Sequence, residues 1–120
     1  MIIEISERAL SVNSVYAHTG KRRYMTPRGK EFKEFVEGWF EALIYEKKIT
    51  PFTDERLKVE YEFHFKGKRK RDASNYVKVI EDCMSGILFD DDEQVDYFTV
   101  RRFYNTTHDF ILIKLEENKP

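Results

Sequence analysis

From Leu57 to Phe65 apolar and polar side chains alternate without a miss. Leu57, Val59, Tyr61, Phe63 and Phe65 stand against Lys58, Glu60, Glu62 and His64. Successive side chains of a strand point to opposite faces, so the run predicts a half-buried β-strand. A second period predicts a helix. Phe32, Phe35, Val36, Trp39, Phe40, Leu43 and Ile44 recur at i, i+3, i+4, i+7 and i+8, which is one apolar stripe on a helix from about Pro27 to Glu46. Thr26 reads as its N-cap and Pro27 as its first helical residue. Glu31, Lys33, Glu34, Glu37 and Glu41 fall on its other face.

The remaining elements follow from weaker signals. Met1 to about Ser6 reads as a strand with Ile3 and Ile5 on one face. Ser11 to Tyr24 has no clean period and reads as a polar, basic loop. A second helix fits Ser74 to about Ser85, closed by Gly86. Val95–Tyr104 and Phe110–Leu115 read as strands joined around Asn105-Thr106-Thr107-His108, as a hairpin. The expected order is β-α-β-α-β-β: one α+β domain over residues 1–120, with two helices packed on a mixed sheet. A length of 120 residues suits one domain, and 41% hydrophobic with 15% aromatic residues argues against disorder. A mean hydropathy of -0.64 and the lack of a long apolar run exclude a transmembrane helix. Met1–Ile5 lacks the basic region and apolar block of a secretory signal. The single cysteine, Cys83, excludes an internal disulfide and a cysteine zinc cage. A cytoplasmic protein without membrane or organic cofactor is expected.

A net charge of -1 hides segregation. Lys66-Gly67-Lys68-Arg69-Lys70-Arg71 is a basic run, and Asp90-Asp91-Asp92-Glu93 an acidic one. Such a chain can hold a polyanion with one block and a cation with the other. The second helix lies between them. With Ser74 as the origin, Glu81 falls about 20° to one side, and Lys78, Asp82 and Asn75 about 40°, 80° and 100° to the other. These polar groups share a third of the circumference. The bland reading is a solvated helix face, with Asp72 or Ser74 as its cap. The sharper reading joins Asp72, the Glu81 and Asp82 face, and Asp91 and Asp92 as oxygen donors for a hard divalent cation. Beside them, Arg69 and Arg71 can hold phosphate bidentately, and Lys78 can stabilise developing negative charge. Cationic patch, metal and lysine together are what phosphodiester cleavage needs. His18, His64 and His108 form no cluster or metal-ligand spacing, and Cys83 lies on the apolar face.

Taken in order, several segments resemble the RusA family of Holliday junction resolvases. Ser11-Val12-Asn13-Ser14-Val15-Tyr16 is similar to its N-terminal S/P-x-N-x-x-Y motif, and Thr26-Pro27-Arg28-Gly29-Lys30 to the segment that opens its first helix. Arg71-Asp72-Ala73-Ser74-Asn75-Tyr76-Val77-Lys78 resembles its R-D-x-D-N-x-x-K signature, and Glu81-Asp82-Cys83-Met84-Ser85-Gly86 its D-A-L-x-G. Asp91-Asp92-Glu93-Gln94-Val95 resembles its D-D-x-Q-V/I motif.

The resemblance implies a homodimeric, magnesium-dependent endonuclease, with manganese as a possible substitute, that resolves four-way DNA junctions by paired nicks. It implies a phage or prophage origin and association with the nucleoid. By position, catalytic roles fall on Asp72, Lys78 and Asp92, and metal ligation on Asp72 and Asp92, with Asp91 assisting. DNA contacts fall on Lys66, Lys68, Arg69, Lys70, Arg71, Asn13, Tyr16 and Asn75. One departure stands out: Ser74 replaces the second acid of the signature. The expectation is that Glu81 or Asp82 supplies the missing carboxylate. Without a replacement, the chain binds branched DNA and cleaves it poorly. The apolar residues of the last two strands, Phe98 to Ile113, are expected to contribute a dimer interface.

Overall fold

The computed structural model describes residues 1–120. Four strands form one sheet: β1 (Ile2–Ile5), β4 (Leu57–His64), β5 (Val95–Phe103) and β6 (Phe110–Glu117), in the order β1-β6-β4-β5. β6 runs antiparallel to β1 and β4, whereas β5 runs parallel to β4, so the sheet is mixed. The long helices α2 (Pro27–Tyr45) and α3 (Ser74–Met84) match the sequence reading within a residue or two. The fold is the expected α+β architecture with two helices packed on a mixed sheet.

The alternation of β4 puts Leu57, Val59, Tyr61, Phe63 and Phe65 in the core, each at 1% exposure or less. Ile3 and Ile5 of β1 and Ile111, Ile113 and Leu115 of β6 join them on the same face. Phe32, Val36, Phe40 and Leu43 of α2, and Tyr76, Val77, Val79, Ile80, Cys83 and Met84 of α3, cover that face. Phe35 and Trp39, read as part of the α2 stripe, stay largely exposed; the Trp39 indole N–H donates to the carbonyl of Glu4 on β1 at 2.9 Å. The other sheet face carries Lys58, Glu60, Lys114 and Glu116, with ion pairs among them.

Two expectations need correction. The last two strands form no hairpin, because β4 lies between β5 and β6. The connection from β4 to β5 is instead a parallel crossover through α3. Alternation fixes which face a strand buries and says nothing about its neighbour. Nor is the segment from Ser11 to Tyr24 a loop. It contains a single helical turn, α1 (Val12–Val15), and a two-stranded ribbon of β2 (Tyr16–Thr19) and β3 (Arg22–Met25). These elements are too short to show a period.

α1 packs on the start of α2. Thr26 caps α2 by accepting from the Gly29 N–H at 3.0 Å, and its hydroxyl donates to the carbonyl of Ser14 at 2.8 Å. A Cβ on Gly29 would lie 2.7 Å from the carbonyl oxygen of Val15. The two N-terminal motifs thus form one packed unit, and residue 29 must be glycine for α1 to seat.

Candidate active site

α3 begins without a side-chain cap from its own N-cap residue, Ala73. Asp72 supplies the acceptor: its Oδ1 takes the Ser74 N–H at 3.2 Å and the Ser74 hydroxyl at 2.9 Å. Asp72 also lines a polar groove of about 370 Å³ with Arg69, Lys70, Arg71, Asn75 and Tyr76. Across it stand Asn13, Ser11 and Ser14 from α1 and its approach, joined by Arg8 and Arg28. Arg71 is partly spent on structure. Its guanidinium lies 4.3 Å over the Phe65 ring and donates to the Arg69 carbonyl at 3.0 Å. Its backbone is held by Tyr104 and Arg102.

One to two turns further along the same face lies an acidic cluster. The Lys78 ammonium is 2.9 Å from Asp82 Oδ1 and 3.5 Å from Asp92 Oδ2. Glu81 sits against Asp92, and its carboxyl is pushed above the usual glutamate value, first by partial burial and then by the Asp92 charge. Lys78 is held above the ordinary lysine value, first by its hydrogen bond to Asp82. Three carboxylates around one ammonium leave the cluster net negative.

Asp92 reaches this cluster because its loop is pinned. Gln94, only 6% exposed, donates through Nε2 to the carbonyls of Thr53 and Glu55, both at 3.0 Å. Its Oε1 accepts the backbone N–H groups of Asp90 and Asp91 at 3.0 and 2.9 Å. Every hydrogen-bonding position of the buried amide directed at the chain is thus used. Asp91 caps the following 3₁₀ turn, accepting from the Glu93 N–H at 3.0 Å, and this bond holds its carboxyl below the ordinary aspartate value. Arg56 ties the same turn down through Glu93 and Asp96.

The structure thus brings together Lys78, Glu81, Asp82 and Asp92, and places Asp91 beside them as a cap. Asp72 lines the groove at the start of α3, where Ser74 stands about 6 Å of helix rise before Lys78 and about 10 Å before Glu81. No three acidic, histidine or cysteine side chains converge as a ready-made metal cage. Of the expected DNA contacts, Asn13, Arg69, Lys70, Arg71 and Asn75 line the groove. Lys66 lines an adjacent depression, and Lys68 is exposed outside both. Tyr16 is half-buried on β2 with the Arg23 guanidinium 3.8 Å over its ring. Sequence reasoning gave no role to Gln94, although it sits inside the quoted D-D-x-Q-V pattern, and none to Arg8, which carries no local signal.

A model of the family Endodeoxyribonuclease RusA matches residues 9–116. This chain belongs to the RusA family. The matched span contains α1, the groove, α3 and the pinned acidic loop. A curated RusA relative from Enterobacteria phage HK97, a crossover junction endodeoxyribonuclease, is 27% identical over 108 residues, covering 89% of this chain and 87% of the relative. RusA membership supports a nuclease of the junction-resolving class. No helix here is long and apolar enough to cross a membrane.

Proposed function

We propose that the chain is a magnesium-dependent, structure-selective endodeoxyribonuclease that resolves four-way DNA junctions by paired symmetric nicks. The observation that carries this reading is one helix, α3, with a cationic groove at its start and a lysine-bridged acid cluster along the same face. The groove cations hold the DNA backbone and set its register. Asn75 and Asn13 offer amide donors to the same strand. Lys78, already raised in pKa, stays protonated and stabilises charge that develops on the phosphate and leaving oxygen. Asp82 and Asp92 hold that ammonium in place. Glu81 faces Asp92 across the cluster, and the mutual repulsion that raises its pKa is relieved by a cation between them.

The donor set fits a hard divalent cation: it is all oxygen, net negative and only partly neutralised by Lys78. Glu81 and Asp92 would hold magnesium, with water and substrate phosphate completing its shell and Asp82 remaining on Lys78, and manganese takes the same donors. Asp91 and Asp72 each cap through Oδ1 and keep Oδ2 for a cation or its water. When bound, the ion supplies activated water and charge neutralisation at the phosphate. Resolution needs two nicks, and one chain offers one such cluster, so two chains related by a two-fold axis complete the enzyme. The proposed setting is the cytoplasm, on the nucleoid, with a phage or prophage origin that the phage relative supports.

A synthetic four-way junction and a matched linear duplex, each with magnesium and with chelator, test the reading. Nicking of the junction only with magnesium supports it; equal cleavage of both, or none of either, sinks it. One observation favours a second reading. Ser74 replaces the family acid and engages the Asp72 carboxylate in a cap. Tight junction binding without cleavage would identify a branched-DNA-binding module of the same fold.

A further inference from the structure

We infer that Arg8 and Arg28 form a second phosphate-binding site, which extends the DNA path beyond the groove at α3. The inference rests on the proposed nuclease function. Arg8 leaves the β1–α1 connection, and Arg28 is the second residue of α2. Both line the groove that holds Asp72 and Asn75. Both also line a separate polar depression with Ser6, Glu7, Lys66, His108 and Asp109, whose Oδ1 is taken by the Lys66 N–H. They therefore stand where the two depressions meet.

Neither guanidinium is neutralised. The ion pairs of the chain engage Lys48, Arg56, Lys58, His64, Lys78 and Lys114, and none engages Arg8 or Arg28. Glu7 and Glu31 flank them in a third depression without coming within ion-pair distance. Two exposed like charges facing the same space repel unless an anion lies between them. Their backbones are fixed nonetheless. Ala9 and Leu10, next to Arg8, are 5% and 6% exposed, and Gly29, next to Arg28, is pressed against Val15. Rigid attachment with uncompensated charge favours a ligand that brings its own negative charge at fixed spacing. Guanidinium forks match phosphodiester oxygens bidentately. A DNA strand leaving the α3 groove would pass between Arg8 and Arg28 towards Lys66.

The test is fluorescence anisotropy of a labelled four-way junction across a salt series, with wild type, Arg8→Gln/Arg28→Gln and Arg8→Lys/Arg28→Lys. Each duplex phosphate contact contributes about 0.9 to the slope of log affinity against log salt, so the glutamine pair should lower the slope by about 1.8. The lysine pair should keep it. Matching thermal melts would show that the variants are folded. A wild-type slope in the glutamine pair overturns the inference. If a neutral Lys68, Arg69 and Lys70 triple variant then loses slope, DNA binding at the start of α3 stands and only this site falls. A wild type without salt-dependent binding overturns both.

Discussion

Two side chains at the heart of α3 and β4 carry opposite penalties. The Tyr61 hydroxyl is buried and has no hydrogen-bond partner, and burial pushes its ionisation well above the ordinary phenol value. An unpaired buried hydroxyl costs about 1–3 kcal/mol. Tyr61→Phe keeps the ring against Phe63 and Phe98 and should raise stability by about 1 kcal/mol or more in urea melts. A loss of stability would reveal a partner for the hydroxyl. Glu81 carries the second penalty. Its folded pKa is raised, so between the ordinary glutamate value and that raised value the folded chain binds more protons than the unfolded one. Stability in chelator should therefore fall as pH rises through that window. Glu81→Gln should remove this fall, melt higher than wild type at neutral pH, and cut cleavage sharply. Magnesium should raise the melting temperature of wild type more than that of the variant. Equal metal responses would take Glu81 out of the ligand set.

At the scale of elements, the site is held by joints between segments far apart in sequence. Gln94 fastens the acidic loop to residues 53–55. Gln94→Leu strips the amide partner from the N–H groups of Asp90 and Asp91 and from the carbonyls of Thr53 and Glu55. It should lower stability by about 1–3 kcal/mol and cleavage by more than that loss of fold explains, since Asp92 is released from Lys78. Retained activity in the folded variant would show that Asp92 needs no such support. Gly29→Ala forces α1 away from α2, at a cost of about 1–3 kcal/mol, and shifts Asn13 in the groove; a melt unchanged from wild type would mean that the turn is free to move.

These joints also mark what could be read in advance. The β4 alternation and the α2 stripe were legible because burial repeats with the period of the backbone. The polar face of α3 was legible for the same reason, and it brought Lys78, Glu81 and Asp82 together. Asp72, just before the helix, was joined to the cluster by the motif, and it lines the groove at the start of α3. The β5–β4–β6 order, the meeting of Arg8 with Arg28 and the clasp of Gln94 on residues 53–55 depend on tertiary contacts that leave no local pattern.

For the whole molecule, the expected apolar surplus for an interface proves smaller than the sequence suggests. Ile111 and Ile113 are fully buried in the core. What remains on the outermost strand, β5, is Tyr97 at 50% and Phe98 at 46% exposure. Light scattering at micromolar concentration should return the mass of two chains. A strict monomer that makes only single nicks would point to a different branched-DNA nuclease.

The position of β6 has a consequence for how such a chain emerges from the ribosome. β6 follows β1, β4 and β5 in the chain yet lies inside the sheet, and it is the sole partner of β1. Until Phe110–Glu117 has emerged, β1 has nothing to pair with and one edge of β4 lies open. β4 and β5 can pair before then, but β1 joins the sheet only once Phe110–Glu117 is available. A nascent chain arrested before Phe110 therefore displays apolar strand edges of the kind that aggregate or recruit chaperones.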